Sequence, residues 1–256
     1  MQILKRYALR MVFCCVVTIA CTLLSVTVAF GLWDIKAIVF VQGGAGLSMV
    51  NTVAAIIVTC FPVFTFSYLF SGVLCDGYNA MGIYAIIRLH SKTKWLVIKL
   101  VQICAIVLLY HCVSYCGAAL ILLSGKALDI WLTSLEVFLW LLPLNVLMSC
   151  AVLFLTNLIG IRYGSSLGFL AIVPLHLISI FLCSGIAAGA VKPLYFILPS
   201  AQGVFTWHDN AVVNEVFSGA TIKGFSLEYS YIYLFVLVML ILFISCMRFK
   251  KTDLLQ

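Results

Sequence analysis

Charge is scarce in this chain. Asp, Glu, Lys and Arg make up 9% of its 256 residues, against 65% hydrophobic, too little to cover the surface of a soluble domain. The few charges fall in clusters. They leave uncharged apolar runs predicted as six helical spans over about 11–33, 51–75, 100–125, 137–161, 168–191 and 229–247. Each meets or approaches the roughly 20 residues that a helix needs to cross the hydrocarbon core. Alternation of polar and apolar residues, the mark of strands in a closed barrel, is missing from all six. The second run starts at Ala37 and is too long for one span; Gly43, Gly44, Ala45 and Gly46 are expected to break it. Pro62, Pro143 and Pro174 are expected to kink spans two, four and five. The fold class expected is therefore an all-α membrane protein, residues 1–256 forming one transmembrane domain.

Catalytic signatures are missing as well. No Gly-x-x-x-x-Gly-Lys-[Ser/Thr] occurs, because the one Gly-Lys pair, Gly125-Lys126, runs into Ala127 without the upstream glycine. Neither His-Glu-x-x-His nor Gly-x-Ser-x-Gly is present. The chain reads as neither an ATPase nor a metalloprotease nor a hydrolase. No carboxylate lies inside a predicted span, whereas ion-coupled carriers place ionisable ligands there. That absence favours energy from a partner.

The basic residues set an orientation. Lys5, Arg6, Arg10, Arg88, Lys92, Lys94, Lys99, Arg162, Arg248, Lys250 and Lys251 fall on one side, and only Lys36, Lys126, Lys192 and Lys223 on the other. By the positive-inside rule the N- and C-termini are cytosolic. The net charge of +7 then reflects topology and anionic headgroups, and nothing in it argues for nucleic acid. Trp33, Trp131, Tyr229, Tyr231 and Tyr233 fall near span ends, as an aromatic belt requires. The first run is too long for a signal-peptide core and lacks a cleavage pattern, so it is expected to stay in the mature chain.

The 11 cysteines lie in or beside spans, which disfavours a disulfide framework. Cys112 and Cys116, one turn apart beside His111, read as packing residues more readily than as a metal site. His111 and His176 are intramembrane at similar depth. Hydrogen bonding to a neighbouring helix is the plainer reading of each; bis-His haem ligation or a proton relay is the alternative. Asn145, Ser149, Thr156 and Asn157 read as interhelical glue.

Three segments do not span. Residues 1–10 set Ile3, Leu4 and Tyr7 against Lys5, Arg6 and Arg10, either anchoring the topology or forming a short interfacial helix that touches a cytosolic partner. Residues 77–89 form an apolar stretch too short to cross, followed by Ser91 as a helix cap and Lys92, Thr93, Lys94 and Trp95 leading into the third span. Residues 193–205 are largely apolar, are cut by Pro199, and are flanked by Lys192 and by Trp207-His208-Asp209-Asn210, which is expected to return to water. This stretch is read as a re-entrant or interfacial segment before the last span, with a plain loop as the alternative.

A short apolar helix ending in Arg88, a Ser/Lys turn and Trp95 before the third span, with the closing Met247-Arg248-Phe249-Lys250-Lys251-Thr252-Asp253, resembles the ABC-2-type permeases. These are membrane subunits of small bacterial ATP-driven exporters, including those of bacteriocin and phenol-soluble-modulin-type peptide toxins. The likeness covers the whole chain. It implies a permease without ATPase motifs in the bacterial cytoplasmic membrane, exporting a hydrophobic or amphipathic substrate, a peptide toxin first among them. A cytosolic coupling helix would carry Gly77, Tyr78, Ile83, Tyr84, Ile86, Ile87 and Arg88 into a groove of a separate ATP-binding subunit. An extracellular exit lid would include Pro193, Tyr195, Phe196, Pro199 and Phe205. The partners implied are that ATP-binding subunit, a second permease in a homodimer or related heterodimer, and membrane lipid. No metal or cofactor is expected in this chain, and ATP with Mg would reside in the partner. A stand-alone channel or carrier is the runner-up, with a bis-His haem redox subunit behind it.

Overall fold

The computed structural model describes residues 2–26, 35–42, 53–78, 91–186, 193–216 and 221–251. The described residues form helices and turns without a strand. Helix α1 spans Gln2–Ser25, α2 Ile35–Gln42, α3 Val53–Phe70, α4 Lys92–Leu122, α5 Leu128–Tyr163 and α6 Ser165–Ile186. Short pieces follow: α7 Pro193–Ile197, α8 Pro199–Gln202, a 3₁₀ turn Phe205–Trp207 and α9 Ala211–Val216. Helix α10, Leu227–Lys251, closes the chain. Five segments are long and apolar enough to cross a membrane: Tyr7–Ser25, Val58–Tyr78, Lys92–Leu122, Leu128–Tyr163 and Leu227–Met247. Ser165–Ile180 is a shorter apolar helix.

The bundle is apolar outside and partly polar inside. Leu9, Phe61, Leu139, Leu170, Ile232 and Phe243 are exposed, while Thr18, Thr22, Ser25, Ser114, Asn157 and Gln202 are buried. An apolar solvent gives no hydrophobic drive between helices, so close backbone approach and hydrogen bonds must hold them together. The turn between α5 and α6 shows both. Gly164, at φ 93°, reverses the chain in a conformation that a side chain would strain. Gly168 lies so close to α5 that a Cβ there would stand 2.2 Å from the Thr156 carbonyl oxygen.

Several elements meet or depart from their expected bounds, and the fourth span departs by starting at Leu128 rather than near 137. The second span breaks at Ser71-Gly72 and resumes over residues 73–78. Two partners stabilise the break: Asn157 of α5 donates to the Phe70 carbonyl and accepts from Leu74 N–H, each at 3.0 Å, and Arg10 donates to the Leu69 carbonyl at 3.0 Å. The N-terminal residues form no separate interfacial helix, because α1 runs unbroken from Gln2. Helix α4 starts at Lys92, as the expected cap requires, with Ser91 accepting from Lys94 N–H at 3.3 Å, and runs on into the expected third span. Residues 35–42, part of the over-long second run, make a helix of their own, with Ile35, Ala37, Ile38, Val39, Phe40 and Val41 all buried. The Gly43–Gly46 break lies outside the described residues.

Two apolar clusters fill the bundle. Phe66, Phe70, Leu74, Trp95, Leu100 and Phe154 pack toward the end that carries Arg10. Ile38, Tyr115, Leu122, Leu141, Leu144 and Phe205 pack toward the other. Polar side chains gather between the two.

Candidate functional site: a polar cavity at mid-height

Three long helices turn one polar stretch each toward a common space. His111 and Ser114 lie on α4, Asn145 and Ser149 on α5, and His176 on α6, where Asn145 and His176 sit near the midpoints of their helices. Helix α1 adds Thr18, and α3 adds Thr59, Cys60 and Ser67. The enclosed cavity measures about 120 Å³, room for several water molecules. Its apolar wall includes Val41, Val63, Phe66, Met148, Val152 and Leu177, and among the described residues no Asp, Glu, Lys or Arg lines it.

Two short segments reach this depth without crossing the bundle. Helix α2 ends there, where Asn145 Nδ2 donates to the Gln42 carbonyl at 2.8 Å. Helix α8 brings Ser200, whose hydroxyl lies 3.0 Å from His176 Nδ1, together with Gly203 and Val204. Gly203 is required for that approach, since a Cβ there would stand 2.6 Å from Met148 Cγ.

The histidines are held in place by serines. His111 Nε2 lies 2.9 Å from Ser149 Oγ, and Tyr110, stacked on Phe66 at 4.0 Å, shares a 2.7 Å hydrogen bond with Thr18. Most polar atoms of the lining are thus engaged. Gln42 Nε2 is buried without a hydrogen-bond partner among the described residues, and Ser114 Oγ is buried with the Cys15 thiol as its weak partner. Among the described residues no three His, Cys, Asp or Glu side chains converge as metal ligands; Cys116 is exposed and Cys112 partly so.

Of the residues expected as exit lid, Tyr195 and Phe205 are buried, in different apolar clusters, and Phe196 and Pro199 are half-buried. Tyr195 is buried, its ring edge-on to Trp207 at 5.5 Å, and its carbonyl accepts from Gln202 Nε2. Phe196 packs edge-on against Phe225 at 5.4 Å and Tyr229 at 5.8 Å. Pro193 and Pro199 each open a short helix. Phe205 is buried beside Leu144 and Val213 in the cluster that also holds α2. The expected return to water at Trp207-His208 does not occur. Both are fully buried, His208 Nε2 lying 2.7 Å from Ser230 Oγ, and Asp209 is the first exposed residue. Burial holds the His208 imidazole down at about 4, while Gly224 N–H and the Asn214 amide hold the Asp209 carboxyl below its usual range.

Of the expected coupling residues, Gly77 and Tyr78 lie at the Arg10 end. The Tyr78 ring stands edge-on to Trp95 at 6.0 Å, and a Cβ on Gly77 would lie 3.2 Å from Lys99 Cε. Ile83, Tyr84, Ile86, Ile87 and Arg88 fall outside the described residues. Of the four expected glue residues, Asn145, Ser149 and Asn157 bridge helices, but Thr156 bonds back to Val152 of its own helix at 2.8 Å. Sequence reading missed Gln42, Ser114 and Ser200. A signal existed for Gln42, the lone amide between the apolar Ile38–Val41 and the glycine cluster; Ser114 and Ser200 resemble any other small residue of an apolar stretch.

No curated protein and no solved structure matches the chain. One family does, described as "Protein of unknown function (DUF2705)", over residues 13–255. With nearly its whole length matched, the chain belongs to that family.

Proposed function

We propose that the chain is the permease subunit of an ATP-driven ABC exporter, moving a hydrophobic or amphipathic molecule, a peptide toxin first among candidates, across the bacterial cytoplasmic membrane. The observation that carries this reading is the uncharged polar cavity at mid-height of a bundle long enough to cross a bilayer. A molecule in transit needs polar contacts there, and two segments that stop at that depth resemble the discontinuous helices from which transport sites are built. Among the described residues no Asp, Glu, Lys or Arg lines the cavity, so a coupling ion finds no carboxylate there, and energy comes from a partner.

In this reading α6 is the fifth of six spans, both termini face the cytosol, and residues 77–89 dock as a coupling helix on an ATP-binding subunit. A second permease completes the transporter, and ATP with Mg stays in the partner. Closure of the nucleotide subunits would change access to the cavity, with 193–205 as the lid on the extracellular side.

Co-purification tests it. The wild-type chain, expressed in its own host, is expected to bring down an ATP-binding subunit, and the Ile83→Asp, Ile86→Asp double variant to insert normally but lose it. A chain that purifies alone and conducts or carries solute without nucleotide overturns the ABC reading and leaves the stand-alone channel or carrier, which the same two half-inserted segments favour.

A further inference from the structure

Sulfur meets sulfur between two of the long helices. The Cys150 thiol of α5 donates to the Cys104 sulfur of α4, the two sulfurs standing 3.6 Å apart. Each residue lies near the middle of its helix, at a depth that charged reagents do not enter. Cys150 is buried, in the apolar cluster that also holds Ile103, Val107 and Phe154. Cys104 is half-buried and borders the face of α4 on which Val101 and Leu108 are exposed. Packing accounts for a small apolar side chain at either position. It does not account for one thiol aimed at another that a reagent dissolved in the membrane can reach. A reachable sulfur with a second sulfur behind it is the arrangement of a redox-sensing cysteine and its resolving partner. Depth also limits the oxidant: glutathione disulfide is charged and stays in water, whereas a hydroperoxide is small or lipid-soluble and uncharged.

We propose that Cys104 and Cys150 form a reversible redox pair, oxidised by a hydroperoxide to a disulfide that staples α4 to α5. The Cys104 sulfur attacks one peroxide oxygen and the O–O bond breaks. Its thiol proton leaves with the departing oxygen, as water when the oxidant is hydrogen peroxide, and Cys104 becomes a sulfenic acid. The Cys150 sulfur then attacks the Cys104 sulfur, the S–O bond breaks, and the second thiol proton leaves with that hydroxyl as water. Both sulfurs are oxidised and the peroxide is reduced, with no further reactant. About 1.5 Å of approach separates the present contact from a bond. The staple lies beside the cavity, because Cys150 follows Ser149, whose hydroxyl meets His111 of α4. It fixes the spacing of the two helices there, whether or not the chain is an exporter.

The full chain in lipid nanodiscs, reduced and then treated with hydrogen peroxide, supplies the test. After the remaining thiols are alkylated in detergent, trypsin without reductant cuts at Lys99, Lys126 and Arg162 and so separates Cys104 from Cys150. Mass spectrometry is expected to find peptides 100–126 and 127–162 joined through these two residues, lighter than their sum by two hydrogens, and released by dithiothreitol. Thermal melting of the wild type should shift upward on oxidation and return on reduction. Cys104→Ala and Cys150→Ala should each lose the joined peptides and the shift. A variant whose reduced form does not melt cooperatively is set aside, and the wild-type linkage decides. Linkage through Cys112 or Cys116 overturns the pair, as does oxidation confined to the exposed Cys116 while Cys104 and Cys150 remain alkylated. Conversion of Cys104 to a sulfinic acid without linkage, or a linkage that leaves melting unchanged, does the same and leaves two packing cysteines.

Discussion

Helix α2 and the stretch Pro193–Trp207 both enter from the end opposite Arg10 and both stop at the cavity, yet they are held by different forces. Helix α2 is regular, and two side chains meet its carbonyls: Ser25 donates to that of Ala37 and Asn145 to that of Gln42. Packing holds the rest, with Phe40 and Val41 set against Cys21 and Val58. The later stretch is cut at Pro199 and Gly203 into pieces too short to close a backbone ladder, so side chains take over. Gln202 bonds the Tyr195 carbonyl and Ser230; His208 bonds Ser230; Tyr229 and Tyr233 donate to the carbonyls of Phe196 and Ile197. A half-inserted segment can be stabilised by apolar volume or by a polar network, and composition decides which.

Substitutions should separate the two modes. Phe40→Ala opens a void where the α2 side chain is fully buried, and should lower unfolding stability in mixed micelles by about 3 kcal/mol or more; loss below about 1 kcal/mol would mean that packing is not what holds α2. In the other segment the largest effect should come from pH. His208 is neutral and buried with its pKa lowered to about 4 from 6.5, so its contribution is fully present above pH 6.5 and is lost as pH falls toward 4, by at most about 3 kcal/mol. A denaturation series over that window should show the slope, and His208→Asn should flatten it; a slope unchanged by the substitution would assign the titration elsewhere. Gln202→Leu strips the Tyr195 carbonyl and Ser230 of their partner and should cost about 1–2 kcal/mol, read as faster proteolysis of the segment while α2 stays protected. Smallest of all, Tyr233→Phe removes one bond at the edge and should cost about 0.6 kcal/mol, the average for a hydrogen bond within a membrane protein.

The long helices were legible because a run without charge has one stable form in lipid, and the Ser91 cap because a hydroxyl before a new helix has one local use. His111 and His176 were legible as groups of similar depth, and their cavity joins them with Ser149 and Ser200. Helix α2 was not: its eight residues are as apolar as a span, and length was the only clue that they end early. Trp207 and His208 were misread for a related reason. A Trp-His pair beside Asp looks interfacial, but Phe225 stacks on His208 at 4.4 Å, a contact that sequence separation conceals.

The sequence alone determined that this chain is helical and apolar outward, because scarce charge and unbroken hydrocarbon leave the backbone no other way to satisfy itself in lipid. It also determined that the middles of the long apolar runs carry no Asp, Glu, Lys or Arg. Only the tertiary structure decided that α2 and Ser200 reach one depth, that Asn145 meets the Gln42 carbonyl, and that Ser200 meets His176. Those outcomes depend on which faces of distant helices meet. The residues concerned stand up to 158 positions apart, from Gln42 to Ser200, and packing sets that geometry where no local pattern records it.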